Sequence, residues 1–392
     1  MANGLRLTVA AALAAAGPIA MAQSPAGSFK AGPGYVYPEI EFAVKRDSNI
    51  ALQSDAARVS DTIRYVRPSF RVEAKGGTQN YDAGYRGEFA SYSSVTTDNY
   101  DDHEIFAGGD WTPDARHNFK LKGQYVDKVD PRGALQVATP TPNEYHQPIL
   151  TGLYTYGAQE AAGRLELQAG GYSKTYVNNR PQTEPLDHSR TELGASLLLR
   201  VQPKTYATLT ARQYRYDYTL AGPTKNSKET YLLAGLRWNI SAVTSGKISF
   251  GYQTKKFESA GGAGTAEYSG GAWEGGLTWK PLFYSTFDLA TQKRTEETTG
   301  VGDFVVNQTH QLAWTHVWGS RITTVITAAY SKDRYSGTNR VDATSTGGAR
   351  LLYAVQRWLK LGADYAGSMR DSNDNNFDYR RNQFMLLANF TL

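Results

Sequence analysis

From about residue 38 onward the chain repeats one pattern: apolar and polar residues take alternate positions in segments of roughly 10 to 15 residues. In KISFGYQTKKF, Ile248, Phe250 and Tyr252 share one side while Lys247, Ser249, Gly251, Gln253 and Lys255 share the other. FKLKGQY sets Phe119, Leu121 and Tyr125 against Lys120, Lys122 and Gln124. LKLGADYAGSMR sets Leu359, Leu361, Ala363 and Tyr365 against Lys360, Gly362, Asp364 and Arg370. Only an extended strand turns successive side chains to opposite faces, so the pattern dictates strands with one apolar and one polar face. Helical spacing competes nowhere in this region.

Eighteen such segments are predicted, near 38–46, 61–75, 78–91, 101–112, 117–128, 143–156, 162–176, 189–202, 205–219, 228–240, 245–258, 268–280, 284–297, 304–318, 321–335, 342–357, 358–371 and 379–392. A missed or split strand would make sixteen the alternative count. Their connections alternate in kind. KGGT (75–78), TPDARH (112–117), QPKT (202–205), WKPLFY (279–284), VWGSR (317–321) and QRWLK (356–360) are short. The segments at 46–61, 126–144, 177–190, 259–267 and 370–378 are longer and rich in Asp, Asn, Ser, Gly and Thr.

Short turns at one end and long loops at the other are the layout of an up-and-down antiparallel β-barrel in a membrane, with the short set periplasmic and the long set extracellular. Trp111, Trp279, Trp318 and Trp358 stand at the short-turn ends, where an aromatic girdle meets the lipid headgroups. A soluble sandwich or propeller would not require nearly every strand to alternate, nor sort its loops by length. No cysteine is present to staple a small scaffold, and no later run approaches the roughly 18 apolar residues of a spanning helix.

The amino terminus has the three zones of a secretory signal peptide: Arg6, the apolar run Leu7 to Ala20, and Ala20-Met21-Ala22 before a cleavage site at Gln23. The expected organisation is therefore a signal peptide over 1–22, a short periplasmic segment over 23–37 and the barrel over 38–392, integral to a bacterial outer membrane. The formal charge of +5 is spread along the chain, with no basic block to suggest nucleic acid.

In a bilayer every strand must pair on both edges, so the sheet closes and its first strand, around Glu39 to Arg46, meets its last, around Tyr379 to Leu392. Phe384, Leu386, Phe390 and Leu392 alternate to the end of YRRNQFMLLANFTL and are expected to serve closure and assembly. The stretch resembles the carboxy-terminal signal read by the barrel-assembly machinery, although such signals usually end in phenylalanine.

If apolar rows face lipid, the inner face receives Arg67, Arg71, Arg86, Lys120, Lys122, Arg164, Arg200, Arg237, Lys247, Arg294, Arg350 and Lys360. Fewer acids accompany them: Glu73, Asp82, Glu88, Glu166, Glu274, Asp288 and Asp364. Two readings stand: mutual neutralisation in a hydrated lumen, or a mildly basic path for anionic or hydroxyl-rich solutes. Tyr65, Tyr172 and Tyr231 fall on the same face, where aromatic rings beside arginines suit sugars. The loop 126–144 is the longest candidate to fold inward as a constriction, the other reading being a surface loop.

Chemistry is sparse. Asp101-Asp102-His103 could supply an acid and a base, but no GxSxG elbow occurs and the six histidines lack metal spacing. RDSNDNNFD has no turn glycine or closing glutamate for a calcium loop. Neither an enzyme nor a cofactor or metal is expected.

The first hairpin, EFAVKRDSNIALQSDAARVSDTIRYVRPSFRVE (41–73), ends one strand in Asp47-x-Asn49 and opens the next with Ser60-Asp61-Thr62. It resembles the β-barrel porin family 2, which includes outer-membrane proteins encoded with exopolysaccharide genes. The resemblance implies a barrel that takes part in exopolysaccharide export, or a porin-like diffusion channel for small anionic or sugar solutes. A plugged barrel acting as a surface or assembly scaffold is the further alternative. The implied partners are outer-membrane lipid, the barrel-assembly machinery, polysaccharide and periplasmic export components. The family brings no catalytic residues.

Overall fold

The computed structural model describes residues 27–135, 138–220, 225–239, 243–258, 267–298, 300 and 302–391. The expected signal peptide and Leu392 lie outside the described residues. A three-residue strand, β1 (Phe29–Ala31), folds against the start of β2 (Gly34–Asp47), so the wall begins four residues before the expected Pro38. The wall continues through β3 (Asp61–Gly76), β4 (Gln79–Tyr92), β5 (Tyr100–Asp114), β6 (His117–Asp130) and β7 (Asn143–Tyr156). Then come β8 (Gly163–Tyr176), β9 (His188–Gln202), β10 (Thr205–Tyr218), β11 (Ser227–Asn239), β12 (Thr244–Phe257) and β13 (Tyr268–Leu282). The last are β14 (Ser285–Glu297), β15 (Phe304–Trp318), β16 (Ile322–Tyr335), β17 (Val341–Gln356), β18 (Leu359–Ser372) and β19 (Tyr379–Thr391).

Each wall strand pairs antiparallel with its sequence neighbours, and β19 pairs with β2 from Gln383↔Asp47 to Thr391↔Glu39, closing an 18-strand barrel. Alternation explains the closure. Phe42, Val44, Leu193, Leu197, Phe384 and Leu386 remain 40% or more exposed on the outer face, which only a lipid surround makes favourable. Tight turns close the short end; in the one between β3 and β4, Gly77 takes φ +52°, a left-handed value suited to glycine. Around that end Trp111 donates to the Tyr81 hydroxyl, Trp279 stacks on Phe287, and Trp358 stacks on Phe390 with ring centroids 6.1 Å apart.

The seam between first and last strands is locked by the first hairpin's own motif. Asp47, fully buried, accepts from Arg381 Nη2 at 2.5 Å, from Gln383 Nε2 at 2.8 Å and from the Asn49 amide at 3.0 Å. Asn49 donates its side-chain amide to the Arg380 carbonyl, also across the seam. Asp61 accepts from the amides of Thr62, Ser94 and Val95, tying that hairpin to the next.

Closure at the other end of β19 uses Phe390, edge-on to Phe42, and Asn389, which donates to Glu39 at 2.5 Å. Deleting residues 389–392 is expected to abolish membrane insertion, read as loss of the heat-modifiable folded band on electrophoresis. A truncated chain that still gives that band would show the terminal strand to be dispensable.

Candidate lumen site

The registers set Arg67, Arg71, Arg86, Lys120, Lys122, Arg164, Arg200, Arg237, Lys247, Arg294, Arg350 and Lys360 on the face opposite the exposed apolar rows. Eight of the twelve pair with a carboxylate, on another strand or two residues along their own. Arg67 bridges Glu41 at 2.6 Å and Glu88 at 2.7 Å, Arg86 meets Glu104 at 2.7 Å, and Lys120 meets Asp110 at 2.9 Å. Arg237 grips both oxygens of Glu166, Arg350 both of Asp364, and Lys247 shares Glu274 with Arg212. Arg71 pairs with Glu73, and Arg294 with Glu296 at 2.8 Å. Lys122 and Arg164 lie over the rings of Phe106 and Tyr206. Together with Arg200 and Lys360 they form no ion pair among the described residues. Of the remaining expected acids, Asp82 faces Gly108 across β4 and β5, and Asp288 accepts from the Thr278 hydroxyl at 2.6 Å.

The expectation of few inward acids is corrected. Glu41, Asp47, Glu104, Asp110, Glu192, Glu229 and Asp342 share the inner face as well. Most stand within a few residues of a strand end, where a carboxylate reads as loop polarity. The tyrosines are likewise engaged: Tyr65 lies under Arg67 at 4.2 Å, Tyr172 under Arg190 at 4.8 Å, and Tyr231 bonds Thr295. Asp102 and His103 turn to opposite faces of β5; Asp102 accepts from the Val129 amide inside, while His103 bonds Tyr85 outside, so the two cannot act as an acid and base pair. In 370–378, Asp374 caps a short 3-10 turn and Asp378 accepts from the Ser372 amide.

Two inserts narrow the long-loop end. The first contains residues 131–135 of the loop singled out above. Arg132 donates to Asp98 at 2.9 Å, and Leu135 is buried among Tyr145, Tyr176 and Leu186. Gly133, at φ +80°, approaches the Ala51 carbonyl so closely that a Cβ would sit 2.1 Å from its oxygen, which admits only glycine. The second insert carries no length signal. Pairing of β13 with β14 stops at Trp273↔Lys293, and above that row the β14–β15 hairpin leans into the barrel over β10–β13. There Thr295 meets Tyr231, its amide donates to Gln253, Glu297 binds Lys255 and Tyr218, and Phe304 packs on Phe257 and Tyr268. Lys255 is fully buried and also bonds Glu229 at 2.9 Å. A signal was present: the outer row Thr291, Lys293, Thr295, Glu297 has no apolar residue, so that face has no reason to stay in lipid.

Between the inserts and the wall of β14–β19 remains a cavity of about 560 Å³. On β15–β17 its wall carries a neutral polar patch, Asn307, Thr309 and Gln311 on β15, Ser331 on β16, Thr344 and Thr346 on β17, with Glu296, Asp333, Arg370 and Arg381 around it.

The sequence profile described as "Putative beta-barrel porin 2" matches residues 23–391. The chain belongs to that family. A comparison with curated proteins finds no match. Among solved structures the porin is similar to OccK2 (OpdF) of Pseudomonas aeruginosa, at 11% identity and TM-score 0.51, covering 91% of this chain and 98% of that one. OpdO of the same organism is 14% identical, with TM-score 0.49 over 92% and 97%. The FrpB iron transporter of Neisseria meningitidis is 10% identical, with TM-score 0.48, and 85% of this porin covers 62% of that chain, less than two thirds of its length. At these identities the likeness is one of fold. Family and fold together make the chain a porin-like β-barrel channel of the outer membrane.

Proposed function

We propose that this porin passes hydroxyl-rich solutes through a narrow polar lumen, with the chain of an exopolysaccharide in export as its cargo. The observation that carries the reading is the neutral patch in the cavity wall, where amide and hydroxyl side chains line three adjacent strands. A sugar can exchange its water hydrogen bonds for bonds to such groups at little net cost. The likeness of the first hairpin to proteins encoded with exopolysaccharide genes supplies the polymer. Diffusion of small anions has less support, since most inward cations are answered by carboxylates.

Refolded protein in a planar bilayer is expected to show small conductance steps, a reversal potential near zero in a KCl gradient, and block by neutral oligosaccharides. A strong anion preference would favour the small-anion reading. No conductance, even after deletion of residues 131–139, would favour a plugged scaffold. In cells, a deletion strain is expected to lose stainable surface polymer while keeping small-solute uptake.

A further inference from the structure

Four of the five charged residues that border the cavity are held by an ion pair or side-chain hydrogen bond. Arg132 is held by Asp98, Arg381 by Asp47 and Glu296 by Arg294, while Asp333 accepts from Asn307 at 2.6 Å. Arg370, on β18, forms no ion pair among the described residues. The Asp342 carboxylate, one inward position further along on β17, is bound by Arg340 and Ser372.

Arg370 is also held in place. Its Nε donates to the Phe377 carbonyl at 2.6 Å, and its guanidinium lies 4.7 Å from the centre of the Tyr379 ring. The terminal nitrogens donate to no partner among the described residues. Across the sheet its register partner is Thr344, with Thr346 and Ser331 beyond on the same wall. A fixed planar fork with free N–H groups matches a carboxylate. The adjoining hydroxyls match a ring of alcohols, and the cavity volume lies in the range of small-ligand sites.

We infer that Arg370 makes this cavity a subsite for a carboxylate-bearing sugar unit, with Thr344, Thr346 and Ser331 contacting its hydroxyls. The inference rests on the channel reading for its biological use but is tested by binding alone. The refolded barrel in detergent is titrated by saturation-transfer NMR with glucuronate, glucose, glucosamine and acetate.

Glucuronate is expected to bind roughly tenfold more tightly than glucose, glucosamine more weakly than glucose, and acetate weakly. Arg370→Gln, shown to be folded by its heat-modifiable mobility, is expected to erase the preference while leaving glucose binding. Arg370→Lys, which keeps the charge and loses the fork, retains part of it and serves if the glutamine variant does not fold. Equal binding of glucuronate and glucose, an unchanged preference in the variants, or acetate competing as well as glucuronate would each overturn the inference. A barrel that binds in this order yet fails to conduct refutes transport and upholds the subsite.

Discussion

Asp47→Ala is expected to destabilise the folded barrel by about 3–5 kcal/mol, among the largest effects of any single substitution. Removing the carboxylate leaves the Arg381 guanidinium and the Gln383 amide buried at the seam without their acceptor, and frees the Asn49 amide. The loss falls where closure depends on it, because β19 and β2 are joined by no turn and meet only through pairing across 334 positions of sequence. Urea unfolding of the refolded protein in detergent, followed by tryptophan fluorescence, checks it. Asp47→Asn keeps the shape and part of the hydrogen bonding and should lose less. A wild-type midpoint in Asp47→Ala would mean the latch contributes nothing.

Lys255→Ala is expected to raise single-channel conductance severalfold and to make it fluctuate. The lysine stands fully buried between Glu229 and Glu297, and Glu297 belongs to the hairpin end that leans into the barrel. Without the cation two carboxylates confront each other in a water-poor site, at a cost of several kcal/mol. The cheapest relief is for the hairpin end to swing out of the lumen about β15, which keeps its ladder to β16, since no strand pairing ties β14 to β13 above Trp273↔Lys293. Replacing both glutamates by glutamine in the Lys255→Ala background removes the repulsion and should return conductance toward wild type. Unchanged conductance in a folded Lys255→Ala barrel would show that the hairpin does not obstruct the path.

Strand by strand, the wall was legible in the residues. Segment 143–156 matches β7 and 304–318 matches β15 to the residue, because the period-two rule acts locally and a one-residue slip would put Leu312 in the lumen and Gln311 in lipid. Early in β2, Val36 and Tyr37 are followed by Pro38, and the broken alternation there explains why the first strand starts earlier than its clear pattern. The loop at 131–142 announced itself by length, whereas the β14–β15 hairpin did not, since its strands keep pairing with each other as they bend.

By itself, then, the sequence determined that the chain is a closed barrel, which residues share its two faces, and which end carries the long loops. Each follows from side-chain chemistry repeating along a strand and from the rule that lipid leaves no backbone group unpaired. Only the tertiary structure decided which carboxylate answers which cation, that the Asp47-x-Asn49 motif is a seam latch, and that Arg370 stands beside a hydroxyl wall with no ion pair among the described residues. Most of those facts depend on distances between residues tens to hundreds of positions apart, set by how the closed sheet curves and where its loops fold inward.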